Sequence, residues 1–101
     1  MGWHLDGRFS AVVGSHTHVP TADPRVLPQG TALITDTGMV GPRDSVLGVD
    51  PAIIVARFRD GMPRRFEVAS GTVQFNSVLI DVDAKSGRAT GIQRVDQEWD
   101  A

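Results

Sequence analysis

The chain has 101 residues, is 41% hydrophobic and 22% charged, and carries a formal net charge of −2. Those values fit one globular domain, or part of one, with a modest core. They argue against a dedicated nucleic-acid or membrane-surface module, which needs clustered Lys and Arg, and the absence of cysteine excludes disulfides and thiolate metal sites.

No apolar run approaches the roughly 20 residues that span a bilayer. The opening Met1-Gly2-Trp3-His4-Leu5-Asp6 has no charged region followed by an apolar one, so it does not read as a secretory signal. A soluble, cytoplasmic protein is the expectation.

In chain order, the first seven residues resemble the last turns of a helix, with Gly7 placed to stop it in a left-handed conformation. Phe9 to Val13 is a short strand of β-formers and small residues that stops at Gly14. From Ser15 to Gly30, Pro20, Pro24 and Pro28 block regular structure. A loop that long in a compact domain is often functional. Thr31 to Thr35 is a second buried strand, running into the glycine-punctuated loop Asp36 to Pro42. Asp50-Pro51 opens a short helix, with Asp as N-cap and Pro at the first helical position, and Gly61 and Pro63 end it.

The period changes to two after Arg65. Phe66–Val68, Thr72–Phe75 and Val78–Asp83 alternate or run apolar, Ala84 to Gly87 is a tight turn, and Ala89 to Val95 returns. This predicts an antiparallel meander over 65–96 behind a loop-rich region over 1–64, the two making one domain, and an acidic tail after Asp96 that frays.

One concentrated chemical signal stands out, Gly14-Ser15-His16-Thr17-His18. Imidazole is the commonest protein ligand for divalent transition metals. Two of them at i and i+2 beyond a strand end lie where open α/β sheets gather ligands. Taken alone, the pair is outweighed by a blander account, a polar loop whose histidines hydrogen-bond locally. A structural mononuclear site wants three or four protein ligands, and His4 belongs to a surface helix. Asp23 and Asp36 share the same loops, so His16, His18 and Asp36 could form a metal set, although a hydrogen-bonded turn role suits Asp36 better. Asp81 and Asp83 alternate along a strand face turned to solvent.

The run Val12-Val13-Gly14-Ser15-His16-Thr17-His18-Val19-Pro20-Thr21-Ala22-Asp23 resembles the last motif of calcineurin-like metallophosphoesterases, and more narrowly the bacterial YmdB-type phosphodiesterases. The likeness continues through Leu27–Ala32, Thr35–Pro42, Arg57-Phe58, Met62-Pro63 and Arg65–Ala69. It implies an α+β fold: the C-terminal portion of the metallophosphoesterase four-layer sandwich, mostly antiparallel strands with one or two short helices. It also implies hydrolysis of phosphodiesters, 2′,3′-cyclic nucleotides among them, by a hydroxide held between two divalent or trivalent transition metals. Iron or manganese is expected there, with zinc as the alternative.

By the same resemblance His16 would bind one metal and His18 the other. Ser15 stands where Thr is usual, a mild change. The family's Asp, Glu and Asn ligands, its third metal-binding His and the His that protonates the leaving group have no counterpart here. No catalytic residue is therefore expected in this chain alone, since two histidines do not complete a binuclear centre. Two readings follow. One is a portion of a phosphodiesterase, inactive without the missing part. The other is a non-catalytic, β-rich fragment that at most binds metal. Strands 9–13 and 31–35 would lack partners, which predicts a homo-oligomer.

Overall fold

The computed structural model describes residues 1–100 and is mixed α and β, with mostly antiparallel strands and two helices. It forms two compact units. The first comprises Met1–Met39 and Asn76–Asp96, the second Val40–Phe75 and the residues from Gln97 onward.

The first unit is organised around β3 (Ala32–Ile34), which runs parallel to β1 (Ala11–Val13) on one side and antiparallel to β2 (Arg25–Val26) on the other. Ala32 and Ile34 are 0% and 1% exposed, and with Leu27 and Ala89 they form the apolar core. Their spacing is what a strand buried on one face requires. The expectation that strands 9–13 and 31–35 lack partners is corrected, because β3 is paired on both edges and β1 on one. β1 remains an edge strand. The register sets Ala11 against Ala32 and Val13 against Ile34, so the two strands end together at Gly14 and Thr35.

A short helix α1 (Gly2–Leu5) precedes β1. Asp6, not Gly7, terminates it, and Gly7 follows at φ 83°. The Asp6 carboxylate accepts the N–H groups of Gln29 and Thr31, at 3.0 and 3.3 Å, and the Thr31 hydroxyl donates to the Phe9 carbonyl at 2.6 Å. These bonds tie the helix end to the start of β3. The loop 15–30 contains one surprise in β2. Two residues between prolines carry no periodicity, so their pairing with β3 is settled by tertiary contact alone. The hairpin β6 (Val78–Val82) and β7 (Ala89–Arg94) completes the unit, with β7 against β2 and β3. Its turn forms at 84–87 as expected, capped by Asp83, whose carboxylate accepts from Lys85 N–H and Ser86 hydroxyl at 3.2 and 2.8 Å.

In the second unit β5 (Val73–Phe75) lies between β4 (Val40–Pro42) and β8 (Gln97–Trp99), all antiparallel. The continuous meander is corrected accordingly, since β5 pairs with β4 and β8 and not with β6. Residues 66–68 contribute an isolated bridge from Val68 to Val49 in place of a strand. The tail does not fray through Trp99, because β5 offers it a free edge and Trp99 packs edge-on against Phe75, ring centroids 6.2 Å apart.

Helix α2 (Pro51–Asp60) is set by local chemistry. The Asp50 carboxylate accepts the Ala52 N–H at 2.9 Å, Pro51 supplies the first helical position, and Gly61 at φ 65° caps the end while donating to the Arg57 carbonyl. No residue of α2 is buried. Among the described residues no helix is long and apolar enough to cross a membrane.

Candidate metal centre

Strands β1 and β3 finish side by side, and each runs directly into a loop that carries the candidate residues. Gly14 donates to the Ile34 carbonyl at 3.1 Å and accepts from Thr37 N–H at 2.9 Å. The chain then turns through Ser15, His16, Thr17 and His18, all exposed. His18 sits at φ 64°, a left-handed conformation rare outside glycine, to which histidine is less averse than most residues.

What holds this turn is Asp36, immediately after β3. The side chain is 1% exposed. Its Oδ2 accepts the backbone N–H groups of His16 at 3.0 Å, Thr17 at 2.7 Å and His18 at 3.2 Å, and the Thr17 hydroxyl at 2.7 Å. Oδ1 accepts the Gly38 N–H at 2.9 Å. Four donors thus converge on Oδ2 and one on Oδ1, in a buried position. This is the hydrogen-bonded turn role that the sequence favoured for Asp36. The Gly38 N–H, the Thr17 hydroxyl and the His16 N–H, each favouring the charged form, hold its carboxyl well below the usual carboxylate range despite burial.

A second carboxylate braces the first. Asp23 Oδ1 accepts the Thr21 hydroxyl at 2.6 Å and the Thr35 N–H at 3.2 Å, and its Oδ2 accepts the Thr35 hydroxyl. The Thr21 hydroxyl and then that of Thr35 depress the Asp23 carboxyl. Thr21 in turn receives the Asp36 N–H at 2.9 Å and donates its own N–H to the Asp36 carbonyl at 3.0 Å. Beyond Asp36, Arg94 donates to the Thr37 carbonyl at 2.8 Å, and Gly38, at φ 91°, lies so close to Asn76 that a Cβ there would meet its side-chain amide at 2.7 Å.

His16 and His18 thus share one loop with their rings on the surface and their backbone fastened from below. Asp36, read from sequence as a possible member of a metal set with a turn role favoured, and its neighbour Asp23 both accept hydrogen bonds that hold the loop. Sequence reasoning missed Thr17 and Thr21. Thr21, two residues before Asp23 in a proline-rich loop, was the one available signal; Thr17 acts on an aspartate nineteen residues away. His4 lies exposed on α1, and Asp81 and Asp83 are exposed. Among the described residues no three His, Cys, Asp or Glu side chains gather as a metal set. A cleft of about 580 Å³ in the second unit, lined by Val46, Ile54, Arg57, Phe58, Gly61 and Phe66, contains none of these groups.

The arrangement defines the class first. Over 98% of the chain it superposes on a crystal structure described as a novel phosphatase of Mycoplasma pneumoniae, at 36% identity and TM-score 0.90, covering 36% of that chain. A hypothetical protein from Thermus thermophilus superposes over 96% at 40% identity and TM-score 0.87, covering 38% of that chain. The fold is thus that of phosphatases of the metallophosphoesterase type. The family described as YmdB-like protein matches residues 1–95, and this chain belongs to it. The chain is 53% identical over 95 residues to the 2′,3′-cyclic-nucleotide 2′-phosphodiesterase of Bacillus subtilis (strain 168), across 94% of this chain and 36% of that protein. It spans about a third of the length of the relatives it matches.

Proposed function

We propose that the chain forms part of a metal-dependent phosphodiesterase acting on phosphodiesters such as 2′,3′-cyclic nucleotides, with His16 and His18 each contributing one ligand to a pair of transition-metal ions. Iron or manganese suits imidazole and carboxylate donors, and zinc is the alternative. The observation that carries this reading is the pair of exposed imidazoles on a turn fastened by a buried carboxylate. A loop that merely closed a surface would not need five hydrogen bonds to one side chain.

The donor set fits a contribution to such a centre and not a complete one, because each ion needs several protein ligands. The remaining ligands would come from residues outside these 101. When bound, a metal pair supplies Lewis-acid stabilisation of phosphoryl oxygen charge. This chain's own part would be to present two imidazoles from one hydrogen-bonded turn.

A chimera tests the proposal. A chimera in which this chain replaces the matching segment of the Bacillus subtilis relative should hydrolyse 2′,3′-cyclic AMP when manganese is added, and His16→Ala or His18→Ala within it should each bring turnover to background. A folded chimera indifferent to both substitutions sinks the reading, while turnover by the 101 residues alone would show that they need no further ligands.

The open edge of β1 favours a second property, a homo-oligomer built by strand pairing. Phe9, just before that strand, and Val13, its last residue, are 57% and 53% exposed, and an unpaired edge with apolar side chains invites another strand. Sedimentation should show concentration-dependent association that Val13→Lys weakens. A monomer at every concentration rules it out.

A further inference from the structure

The turn that bears His16 and His18 has no regular hydrogen-bond ladder of its own, so the direction of each ring is set by whatever fixes the backbone beneath it. Three consecutive N–H groups, those of His16, Thr17 and His18, point at a single oxygen of Asp36, with the Thr17 hydroxyl as a fourth donor. Consecutive N–H groups converging on one anion form a concave nest, and the anion at its centre determines the dihedral angles of the residues around it. Here those dihedrals include the left-handed His18, φ 64°, which a free chain seldom adopts. The anion is also held in place. It is buried, its other oxygen is taken by Gly38, and its own backbone is clamped by Thr21.

We infer that Asp36 is a positioning residue for the metal pair: by gathering the N–H groups of His16, Thr17 and His18 on one buried carboxylate, it sets the directions in which the two imidazoles leave the turn. The inference rests on the proposed roles of those two histidines and adds a reason why alternate residues on an irregular loop present both rings outward at once. In metal sites generally, groups that orient the ligands matter nearly as much as the ligands themselves. Most such groups bond to the ring. Asp36 instead acts through the main chain, which couples the two ligands: a change at Asp36 disturbs both together.

The test uses the isotope-labelled chimera described above, which supplies the remaining ligands, with free manganese(II) as the probe and two readouts. Amide exchange at residues 16–18 reports the cradle without metal, and paramagnetic broadening of the two imidazole signals reports what reaches the ligands. Asp36→Asn keeps the size of the side chain but replaces one acceptor oxygen by a donor. It should speed exchange at these amides by about tenfold or more, and raise the manganese needed for half-broadening of both rings by about tenfold. Thr17→Val, at an exposed position, removes one donor to the same oxygen and should move both readouts the same way by less. It decides the matter alone if Asp36→Asn does not fold. Ile34→Val, which loosens the core without touching the cradle, should lower the unfolding temperature and leave both readouts unmoved.

Unchanged exchange, or faster exchange with an unchanged manganese response, overturns the role of Asp36. If His16→Ala and His18→Ala abolish broadening while Asp36→Asn and Thr17→Val do not alter it, the ligands stand and the positioning role alone is lost. If neither histidine substitution changes the response to manganese, the metal reading fails and the positioning role falls with it.

Discussion

Gly14 and the carbonyl oxygen of Thr35 approach so closely that a Cβ on Gly14 would lie 2.1 Å from that oxygen. The glycine is thus required by space and not by a left-handed φ, and it lets the ends of β1 and β3 touch where the histidine turn departs. Because the obstructing atom is backbone, no rotamer change relieves it. Gly14→Ala should lower stability by about 1–3 kcal/mol, as overpacking does. It should also separate the His16 turn from Asp36, read as loss of amide protection at residues 16–18. Protection and stability both equal to those of the parent would show that the contact carries no strain.

Acid should loosen the same region. Asp36 and Asp23 both have carboxyls depressed in the folded chain by hydrogen bonds to the charged form. A depressed folded value means that the unfolded chain binds protons first. The stabilisation is therefore fully present above the unfolded value of about 3.9 and is lost as pH falls through the folded values. Unfolding temperature should be flat from neutrality to about pH 5 as far as these two groups contribute, then drop steeply toward pH 2. Asp23→Asn should lower the plateau and make the acid limb shallower. An unfolding temperature that rises on acidification below pH 4 contradicts the assignment of these bonds.

The core of the first unit is small enough for one residue to matter. Ile34 is 1% exposed at the end of β3. Ile34→Val should cost about 0.5–1.5 kcal/mol and Ile34→Ala about 2–5. Folded domains are stable by only about 5–15 kcal/mol, so the alanine variant should lose a large share of its stability and unfold at a clearly lower denaturant midpoint than the parent. Equal midpoints for the parent and both variants would mean that β3 is not the centre of the core.

What the sequence disclosed and what it hid separate by range of interaction. Helix α2 was legible because Asp50, Pro51 and Gly61 act on their immediate neighbours. The histidine pair was legible because its motif is contiguous. Its support was legible only in part. The place of Asp36 in a turn could be read, but its donors at His16, Thr17 and His18 lie 18 to 20 residues away, and no local pattern reports such a distance. Strand β2 escaped for the same reason. Its two residues sit between prolines and are strand only because β3 presents a free edge to them. The meander was misread where two strands adjacent in sequence, β5 and β6, pair with different partners. Alternation announces a strand and says nothing of its neighbour.

The tail makes that last point testable. Acidic composition after Asp96 suggested fraying, yet Gln97–Trp99 pairs residue by residue with Val73–Phe75. Backbone pairing of three residues is weak by itself. The edge-on contact of Trp99 with Phe75, rings at 87°, adds an aromatic term worth about 0.5–1.5 kcal/mol beyond the area it covers. The Thr72 hydroxyl also donates to the Asp100 carboxylate at 2.9 Å. Trp99 is half exposed, so its removal should release the strand without unfolding the rest. Trp99→Ala should therefore speed amide exchange along 97–99 and at Gln74 while leaving Ala32 and Ile34 protected. Were the tail held by backbone pairing alone, exchange along it would not respond. Were it part of one cooperative core, the β3 amides would be released with it.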